Sequence, residues 1–195
     1  VYMKSLPTAD AIAAAARVLL EAEGPAGVSM RRVADAVGIT PMAIYRHYPN
    51  REALLHCVTD LGFAELAGYL KPKRKSMKPD ERMLDLFDGY VRYALDHPRI
   101  FDYVFSQPRP DARRFPGDFR AGRSPTVNLV ADVFRDGVAQ GIFKDDDPWE
   151  AALAIWAHAH GLVCLYRSDR FEYDKRAFRT FCRNSLRRLL SGLYC

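Results

Sequence analysis

The sequence predicts an all-α protein of about nine helices, and three observations support this prediction. Apolar residues recur three and four positions apart along most of the chain, as Met30, Val33 and Val37 do. Helix start signals separate these stretches, because Ser, Thr, Asn or Asp precedes a helix-forming run and proline often takes the first helical position. No stretch alternates apolar and polar residues as a half-buried strand does.

The first four predicted helices form an N-terminal set. The first is capped by Thr8 and ends at about Glu23, before a Gly-Pro-Ala-Gly segment that breaks it. Each of the next three begins behind a capping side chain, and a single glycine separates the second from the third. Their predicted ranges are about 29–37, 40–48 and 50–69.

A basic, proline-flanked linker at about 71–79 precedes five more predicted helices. The segment Asp147-Pro-Trp-Glu is a predicted capping box, and the stretch at 108–125, rich in Arg and Pro, is a predicted loop. The five helices are expected at about 80–96, 100–105, 124–140, 147–167 and 174–191. The expected domains are therefore an N-terminal three-helix domain at 1–55, a connecting fourth helix and linker at 56–80, and a helical domain at 81–195.

Composition narrows the class of protein. The chain has 195 residues and is 49% hydrophobic, which is enough for a real core. Its net charge of +5 does not identify a nucleic-acid site, because residues 1–70 carry six Lys or Arg and seven Asp or Glu. No apolar run approaches the roughly 18 residues that a spanning helix needs, so we expect no membrane partner.

The four cysteines, Cys57, Cys164, Cys182 and Cys195, are widely spaced and form no C-x-x-C pair. This spacing favours neither a zinc module nor a disulfide framework, and we expect reduced thiols, a cytoplasmic location, no metal and no cofactor. No nucleophile with a base, no phosphate loop and no metal cluster stands out in the sequence, so an enzyme is not expected.

A helix, a tight turn containing Gly38 and a second short helix at about 29–48 make a helix-turn-helix pattern. Steps of about 100° around the short helix place Ile44 and Tyr48 on one side and Met42 and Arg46 on the other. The rings of Tyr45 and His47 fall on the two flanks. Such a helix suits the DNA major groove, although an ordinary solvated helix face would have the same spacing.

Arg46 is the predicted base-reading residue, because its planar guanidinium matches O6 and N7 of guanine. Thr40 and Pro41 lie at the entrance of the same helix, where they are expected to touch base edges, and Arg31 is expected at the groove rim. Arg51 lies in the first turn of the fourth helix, where a cation opposes the helix dipole. A phosphate facing Arg51 would explain that local conflict.

The run at 33–54 resembles the DNA-binding domain of TetR (tetracycline-repressor-like) regulators. The likeness rests on an A-x-x-x-G-I-T turn, a Y-x-H-Y segment and a capped basic residue followed by E-A-L. It implies that Tyr45 and His47 hold phosphates and that Arg51 clamps the DNA backbone. The full set of expected DNA contacts is Arg31, Thr40, Pro41, Met42, Ala43, Tyr45, Arg46, His47 and Arg51.

The C-terminal half is similar to one subgroup of TetR bodies through its Trp156-Ala-His-Ala-His-Gly-Leu helix. The resemblance implies that the last two helices form a dimer interface. Independently, the stretch at about 151–166 is apolar almost all round, and a partner subunit would cover it. The expected interface residues are Leu153, Leu162, Phe178, Phe181, Cys182, Ser185 and Leu189.

Aromatic side chains of the body predict a cavity for a small hydrophobic or aromatic effector, with Asp88 or His160 orienting it. The alternative is that these side chains simply fill the core. The candidate residues are Phe87, Asp88, Tyr90, Tyr93, Phe101, Phe105, Phe134, Trp156 and His160.

Together these observations predict a transcriptional regulator that binds a near-palindromic operator as a homodimer and is released by a small molecule, with repression implied by the resemblance. The alternative is a helical module that binds a small molecule or peptide and has no role on DNA.

Overall fold

The structure is a computed structural model that describes residues 9–71, 78–106 and 112–195. Within these ranges ten α-helices account for most of the chain, and the extended pairing found is an isolated bridge between Phe143 and Tyr194. The all-α prediction is confirmed. The helices are α1 (Ala9–Glu23), α2 (Met30–Val37), α3 (Pro41–Ile44), α4 (Arg51–Tyr69), α5 (Pro79–Asp96), α6 (Pro98–Ser106), α7 (Gly117–Arg120), α8 (Pro125–Ala139), α9 (Pro148–Arg167) and α10 (Lys175–Ser191), with a 3-10 turn at Pro25–Gly27.

The chain forms two compact units. The first contains the described residues within 1–65 and 97–107, so α6 belongs to the same unit as α1 to α3 and most of α4, and it packs against α1. The second contains those within 66–96 and 108–195. The domain boundaries expected from the sequence stay a prediction.

Several helices begin where a side chain caps them, as predicted. Ser29 Oγ accepts from the Arg32 amide at 3.2 Å, and Asn50 Oδ1 accepts from the Ala53 amide at 2.8 Å. Asp174 Oδ1 accepts from the amide of Ala177 at 2.7 Å. These bonds satisfy amides that a helix start would otherwise leave without an acceptor.

The capping box expected before α9 is only half formed. Asp147 Oδ1 accepts from the amides of Trp149 and Glu150, at 2.8 and 3.1 Å. The reciprocal bond, in which the Glu150 carboxylate would accept from the Asp147 amide, is absent, and Asp146 Oδ1 accepts from that amide instead, at 2.8 Å. The nearer carboxylate occupies the position that the box assigns to Glu150.

Two expected boundaries are wrong. The third helix ends at Ile44 instead of reaching Tyr48, because the Ile44 carbonyl accepts from the amides of both His47 and Tyr48, at 2.8 and 2.9 Å. This shared acceptor tightens the last turn ahead of Pro49. The predicted loop at 108–125 contains the short helix α7, whose Phe119 packs in a cluster with Val127, Ala131 and Ala152.

The core of the first unit is built from the inward stripe of α1, which is fully buried, together with α2, α3 and α4. Tyr48 joins these helices, since its hydroxyl lies 3.0 Å from the Ala9 carbonyl and 3.4 Å from Cys57 Sγ. Burial raises the pKa of Tyr48, so the phenol stays neutral. The buried side chains are Ile12, Ala16, Leu20, Val33, Ile44, Leu54 and Val58.

In the second unit α5 is the central helix, and α8, α9 and α10 pack against it. Gly89 lets the last turn of α4 approach α5, because a Cβ at Gly89 would lie 2.3 Å from the Tyr69 carbonyl oxygen. At the end of α8 the rings of Phe134 and Phe143 stack at 5.2 Å, and Tyr194 stacks on Phe143 at 5.7 Å. No helix of the described ranges has the length and apolar character needed to cross a membrane.

We expect Gly137→Ala to destabilise the protein by about 1–3 kcal/mol, through overpacking. A Cβ at Gly137 would lie 2.1 Å from Phe143 Cδ2, and Phe143 is held between Phe134 and Tyr194. Gly68→Ala is the matched control, because Gly68 is exposed in α4 with nothing within 4 Å of its Cβ position.

The control should stabilise by about 0.5–1 kcal/mol through helix propensity. Denaturant unfolding of both variants measures the two changes. Equal effects of the two substitutions would contradict the proposed crowding at Phe143.

Candidate nucleic-acid interface

The turn between α2 and α3 is fixed by backbone hydrogen bonds. Gly38 adopts the left-handed region with φ of 72°, which costs little only for glycine. The Ile39 amide donates to the Ala34 carbonyl at 3.0 Å, closing the end of α2. Pro41 then opens α3, and Thr40 stands at its cap position without a side-chain hydrogen bond to the helix.

The short helix presents one buried and one exposed side, as its spacing predicted. Ile44 is 0% exposed and Tyr48 is 8% exposed. On the other side Met42 is 72% exposed and Tyr45 is 48% exposed. Arg46 is also exposed, although Tyr45, Arg46 and His47 lie on the turn after α3 and not on the helix itself.

The other expected contacts differ in exposure. Arg31, Thr40, Pro41 and His47 are exposed, and Ala43 is half-buried. Their contact with DNA stays a prediction. Arg31 on α2 and Arg46 on the turn after α3 are exposed cations, and with the rings of Tyr45 and His47 they are the kinds of group that contact phosphates and bases.

Arg51 is held by the protein's own backbone. Its Nε donates to the Val28 carbonyl at 2.7 Å, and its Nη2 donates to the Pro25 carbonyl. These bonds fasten the start of α4 to the connection between α1 and α2. They explain how the Arg51 cation is accommodated in the first turn of α4, where it opposes the helix dipole. A facing phosphate is therefore not needed to explain its position.

Arg32 also holds α2 in place through its side chain, and the sequence did not predict this role. Its Nη1 and Nη2 pair with the Glu23 carboxylate, both at 2.5 Å, and Nη1 also donates to the Gly27 carbonyl at 2.9 Å. The hydrogen bond from Arg32 lowers the pKa of Glu23. The sequence does show an acidic residue nine positions before a basic residue of α2. That spacing alone does not predict that the two side chains pair.

The predicted effector residues are divided between the two units, and their role in binding an effector stays a prediction. Phe101 and Phe105 belong to the first unit, where their rings lie 4.8 Å apart and Phe105 also packs on Phe63 at 5.7 Å. Phe134 packs in the aromatic stack at the end of α8. Phe87, Tyr90, Tyr93, Trp156 and His160 lie in the second unit, and Tyr93 is fully buried there.

Asp88, one of the two predicted polar orienters, is paired with Arg179. The Arg179 guanidinium donates Nε to Asp88 Oδ1 and Nη2 to Oδ2, both at 3.0 Å, in a bidentate pair between α5 and α10. Arg92 is a further neighbour, with its Nε 3.4 Å from Oδ2. Asp88 therefore joins α5 to α10, and its role in orienting an effector stays a prediction.

Tyr90, Trp156 and His160 form a hydrogen-bonded chain in the second unit. Trp156 Nε1 donates to the Tyr90 hydroxyl at 3.1 Å, and that hydroxyl lies 2.9 Å from His160 Nδ1. Because Trp156 Nε1 can only donate, the Tyr90 hydroxyl is the acceptor in the first of these bonds. Burial lowers the pKa of His160 and raises that of Tyr90, so both are neutral at pH 7.

Two of the predicted dimer contacts are wrong. Phe178 is 0% exposed and Cys182 is 1% exposed, so the protomer's own core covers them. Tyr166 stacks on Phe178 at 4.0 Å, and burial raises the pKa of Cys182 to about 12. Ser185 Oγ lies 3.0 Å from His158 Nε2 within the same chain. Leu153, Leu162, Phe181 and Leu189 are half-buried.

The outward side of α9 carries other residues. Ala154, Ala157, Gly161 and Leu165 are exposed along it, and Leu165 is 48% exposed. On α10 Phe178 and Cys182 pack inward, whereas Phe181, Ser185 and Leu189 are half-buried, and their part in an interface stays a prediction. Within the described residues no cluster of three His, Cys, Asp or Glu side chains could hold a metal ion.

Comparison with known proteins agrees with a helix-turn-helix regulator. A family profile described as bacterial regulatory proteins of the tetR family matches residues 12–58, and one described as the tetracyclin repressor-like C-terminal domain matches residues 83–189. The second match covers more than half of the chain. The chain therefore belongs to the TetR family of transcriptional regulators. The Trp-His-Gly subgroup stays a prediction.

Individual relatives agree with this assignment. The chain is 28% identical over 170 residues to an HTH-type transcriptional regulator of Mycobacterium tuberculosis, covering 87% of this chain and 80% of the relative. It is 35% identical over 89 residues to the HTH-type transcriptional repressor DrrR1 of Streptomyces coeruleorubidus, covering 46% of this chain and 28% of that protein. A solved structure from Rhodococcus sp. RHA1 has a TM-score of 0.80 at 24% identity, covers 100% of this chain and 98% of its own, and shows the same fold.

Stability should fall as the pH is lowered from 7 to 5, because burial lowers the pKa of both His158 and His160. Below the ordinary imidazole pKa of about 6.5 the unfolded chain binds protons that the folded chain resists. The contribution of the two imidazoles is therefore present above that pH and is lost as the pH falls toward their lower folded pKa values.

Denaturant midpoints at a series of pH values measure this loss. The double variant His158→Gln/His160→Gln should show a smaller decrease than the wild type, and each single variant should remove part of it. A decrease in the double variant as large as in the wild type would contradict the assignment to these two side chains.

Proposed function

We propose that the chain binds a near-palindromic operator as a homodimer and releases it when a small molecule binds the body. The observation that carries the DNA part is the α2–turn–α3 unit, which holds Ile44 and Tyr48 inside and exposes Met42, Tyr45 and Arg46. An exposed surface of this composition suits a major groove, where an arginine can read guanine and flanking groups can reach phosphates.

Within this proposal Arg46 and Met42 read base edges, and Tyr45 and His47 contact phosphates on either side. Thr40, Pro41 and Ala43 line the entrance to the groove, and Arg31 lies at its rim. Arg51 is assigned chiefly to positioning, because its Nε and Nη2 already donate to Val28 and Pro25. A phosphate contact by its guanidinium would be an addition to that role.

Arg46→Ala is expected to weaken binding to the preferred duplex by about 1–3 kcal/mol and to relax base preference, since it removes a base contact. Tyr45→Phe should weaken binding to all duplexes alike, because it removes only a phosphate contact. The preferred duplex is first selected from a random library with the full chain. Fluorescence anisotropy over a salt series then measures both the affinity and the number of phosphates neutralised, because each phosphate contributes roughly −0.9 to the slope of log K against log salt.

Arg135→Ala, in the exposed part of α8, is the control and should leave binding unchanged. Equal effects of Arg46→Ala and Tyr45→Phe on every duplex would contradict the separation of base and phosphate roles. Failure to select any duplex, or binding without salt dependence, would favour the alternative module that acts away from DNA.

The dimer proposal rests on the outward faces of α9 and α10. On α9 the small residues Ala154, Ala157 and Gly161 would allow a second helix to approach closely, and Leu165 would supply apolar contact. At the start of α10 there is an open groove of about 430 Å³, where the Phe181 ring packs against the rings of Phe171 and Tyr173. It is lined by Tyr173, Asp174, Arg176, Ala177, Thr180, Phe181 and Asn184.

Leu165→Arg should shift the protein from dimer to monomer, because the arginine would be buried against the partner without a counter-charge. The substitution should not unfold the protomer, since Leu165 is 48% exposed within it. Val18→Arg is the matched control, as Val18 is 62% exposed on α1. Sedimentation velocity over a concentration series distinguishes the states, and a Leu165→Arg protein as dimeric as the control would exclude this face.

The effector proposal is centred on the Tyr90, Trp156 and His160 chain, which offers oriented polar groups among aromatic side chains. A small hydrophobic or aromatic molecule would fit such surroundings. Repression is proposed from the likeness to a Streptomyces protein named as a repressor. A thermal-shift panel of hydrophobic compounds identifies the effector, because a ligand at 100 times its Kd stabilises by about 2.7 kcal/mol.

A further inference from the structure

Helix α3 has no charged side chain and no side chain that can donate a hydrogen bond. Its four residues are Pro41, Met42, Ala43 and Ile44, and Ile44 is fully buried in the first unit. Pro41 and Met42 are exposed and Ala43 is half-buried, so the groups that α3 turns outward are a pyrrolidine ring, a thioether and a methyl group. The helix at the centre of the candidate interface therefore offers apolar contact.

Met42 is the most open of these side chains. It is 72% exposed, more than any other large hydrophobic side chain in the described ranges, and Val18 follows at 62%. The backbone beneath Met42 is held by the burial of Ile44 and by Tyr48, which contacts both α1 and α4. A methionine side chain is unbranched and polarizable, so on a fixed backbone it can adapt to an apolar group of a partner.

The DNA major groove presents one apolar group that carries sequence information, the 5-methyl group of thymine. The other groups that distinguish bases there are donors and acceptors, which only hydrogen-bonding side chains can tell apart. Pro41, Met42 and Ala43 have no such donor. In a major groove, the outward side chains of α3 can therefore select a base only through the methyl group of thymine.

Arg46 supplies the polar contact beside this apolar surface. Within the described part of the first unit its guanidinium forms no hydrogen bond and no ion pair. Other arginines of that unit are held by a carboxylate or a backbone carbonyl, namely Arg17, Arg32, Arg51 and Arg99. The planar fork of Arg46 is thus available for O6 and N7 of guanine.

The spacing of Met42 and Arg46 sets the distance between the two contacts. After α3 the backbone continues in a tighter turn, with the Arg46 amide 3.4 Å from the Ala43 carbonyl and the His47 amide 2.8 Å from the Ile44 carbonyl. At a rise of about 1.5–2 Å per residue, four residues span roughly 6–8 Å. Bases follow each other at about 3.4 Å along a strand, so the two contacts lie about two base pairs apart when α3 follows the groove.

We propose that Met42 makes each operator half-site require a thymine about two base pairs from the guanine that Arg46 contacts, by packing against the thymine 5-methyl group. This inference rests on the proposed function, since it needs α3 to lie in a major groove. Burying one methyl group against the thioether corresponds to about a fourfold gain in affinity for each half-site. Met42 is then a specificity-determining residue, whereas Ile44 and Tyr48 only position it.

Replacement of thymine by deoxyuridine tests this contact, because uracil keeps the pairing edge of thymine and lacks only its methyl group. A duplex is selected from a random library with the full chain, and each thymine is then replaced in turn, symmetrically in both half-sites. Fluorescence anisotropy measures the affinity for each duplex, and Arg46→Ala locates the guanine as the base pair at which preference is lost.

The wild type should lose affinity by about fourfold per half-site at one thymine, about two base pairs from that guanine. Met42→Ala should bind the selected duplex more weakly than the wild type and should lose nothing further when the same thymine is replaced. Because Met42 is 72% exposed, this variant should unfold at a denaturant midpoint close to that of the wild type.

Two matched variants control for a general loss of binding. Tyr45→Phe removes a proposed phosphate contact and should keep the full effect of uracil. Val18→Ala shortens a comparably exposed apolar side chain on α1 and should change neither the affinity nor the effect of uracil.

Each contrary result has its own meaning. A wild-type protein that is indifferent to uracil at every position, or a selected half-site without a thymine near that guanine, overturns the contact. An equal effect of uracil on Met42→Ala and on the wild type also overturns it, since another residue would then contact the methyl group. Failure to select any duplex contradicts the proposed DNA binding, and the inference with it.

Discussion

The placement of one four-residue helix is the constraint on which the DNA-binding surface depends. A helix as short as α3 has no stability of its own, because nucleation is unfavourable and few backbone bonds form. Its position comes from the burial of Ile44 and from Tyr48, whose hydroxyl meets a carbonyl of α1 and a thiol of α4. The exposed side chains of α3 and its following turn are therefore oriented by residues that face away from DNA.

Arginines secure the same surface from the other side by binding backbone carbonyls. Arg51 joins the start of α4 to the connection between α1 and α2, and Arg32 joins α2 to Glu23 and Gly27. Arg99 does the same for α6. A guanidinium suits this task because its planar fork can donate to several acceptors at once. Arg51, which the sequence predicted as a DNA contact, is thus part of the scaffold that holds the DNA-binding helices.

Local signals predicted most of the fold, and long-range contacts explain what they missed. Ser29, Asn50 and Asp174 cap helices because the amides they need lie within three residues. The pairing of Asp88 with Arg179 spans 91 positions, so periodicity could mark both side chains as polar but could not match them. Phe178 and Cys182 were correctly identified as one apolar stripe. The sequence could not decide whether the protomer or a partner covers that stripe.

The glycines of the helices show where close approach is needed. Gly89 and Gly137 each make room for an atom of their own chain, and Gly137 is filled by the Phe143 ring. Gly161 differs, because a Cβ there would have nothing within 4 Å. A glycine inside a helix costs roughly 0.5–1 kcal/mol relative to alanine, and nothing in the described protomer offsets that cost at Gly161. A second helix lying against the small residues of α9 would offset it in the assembly, which supports the proposed dimer face.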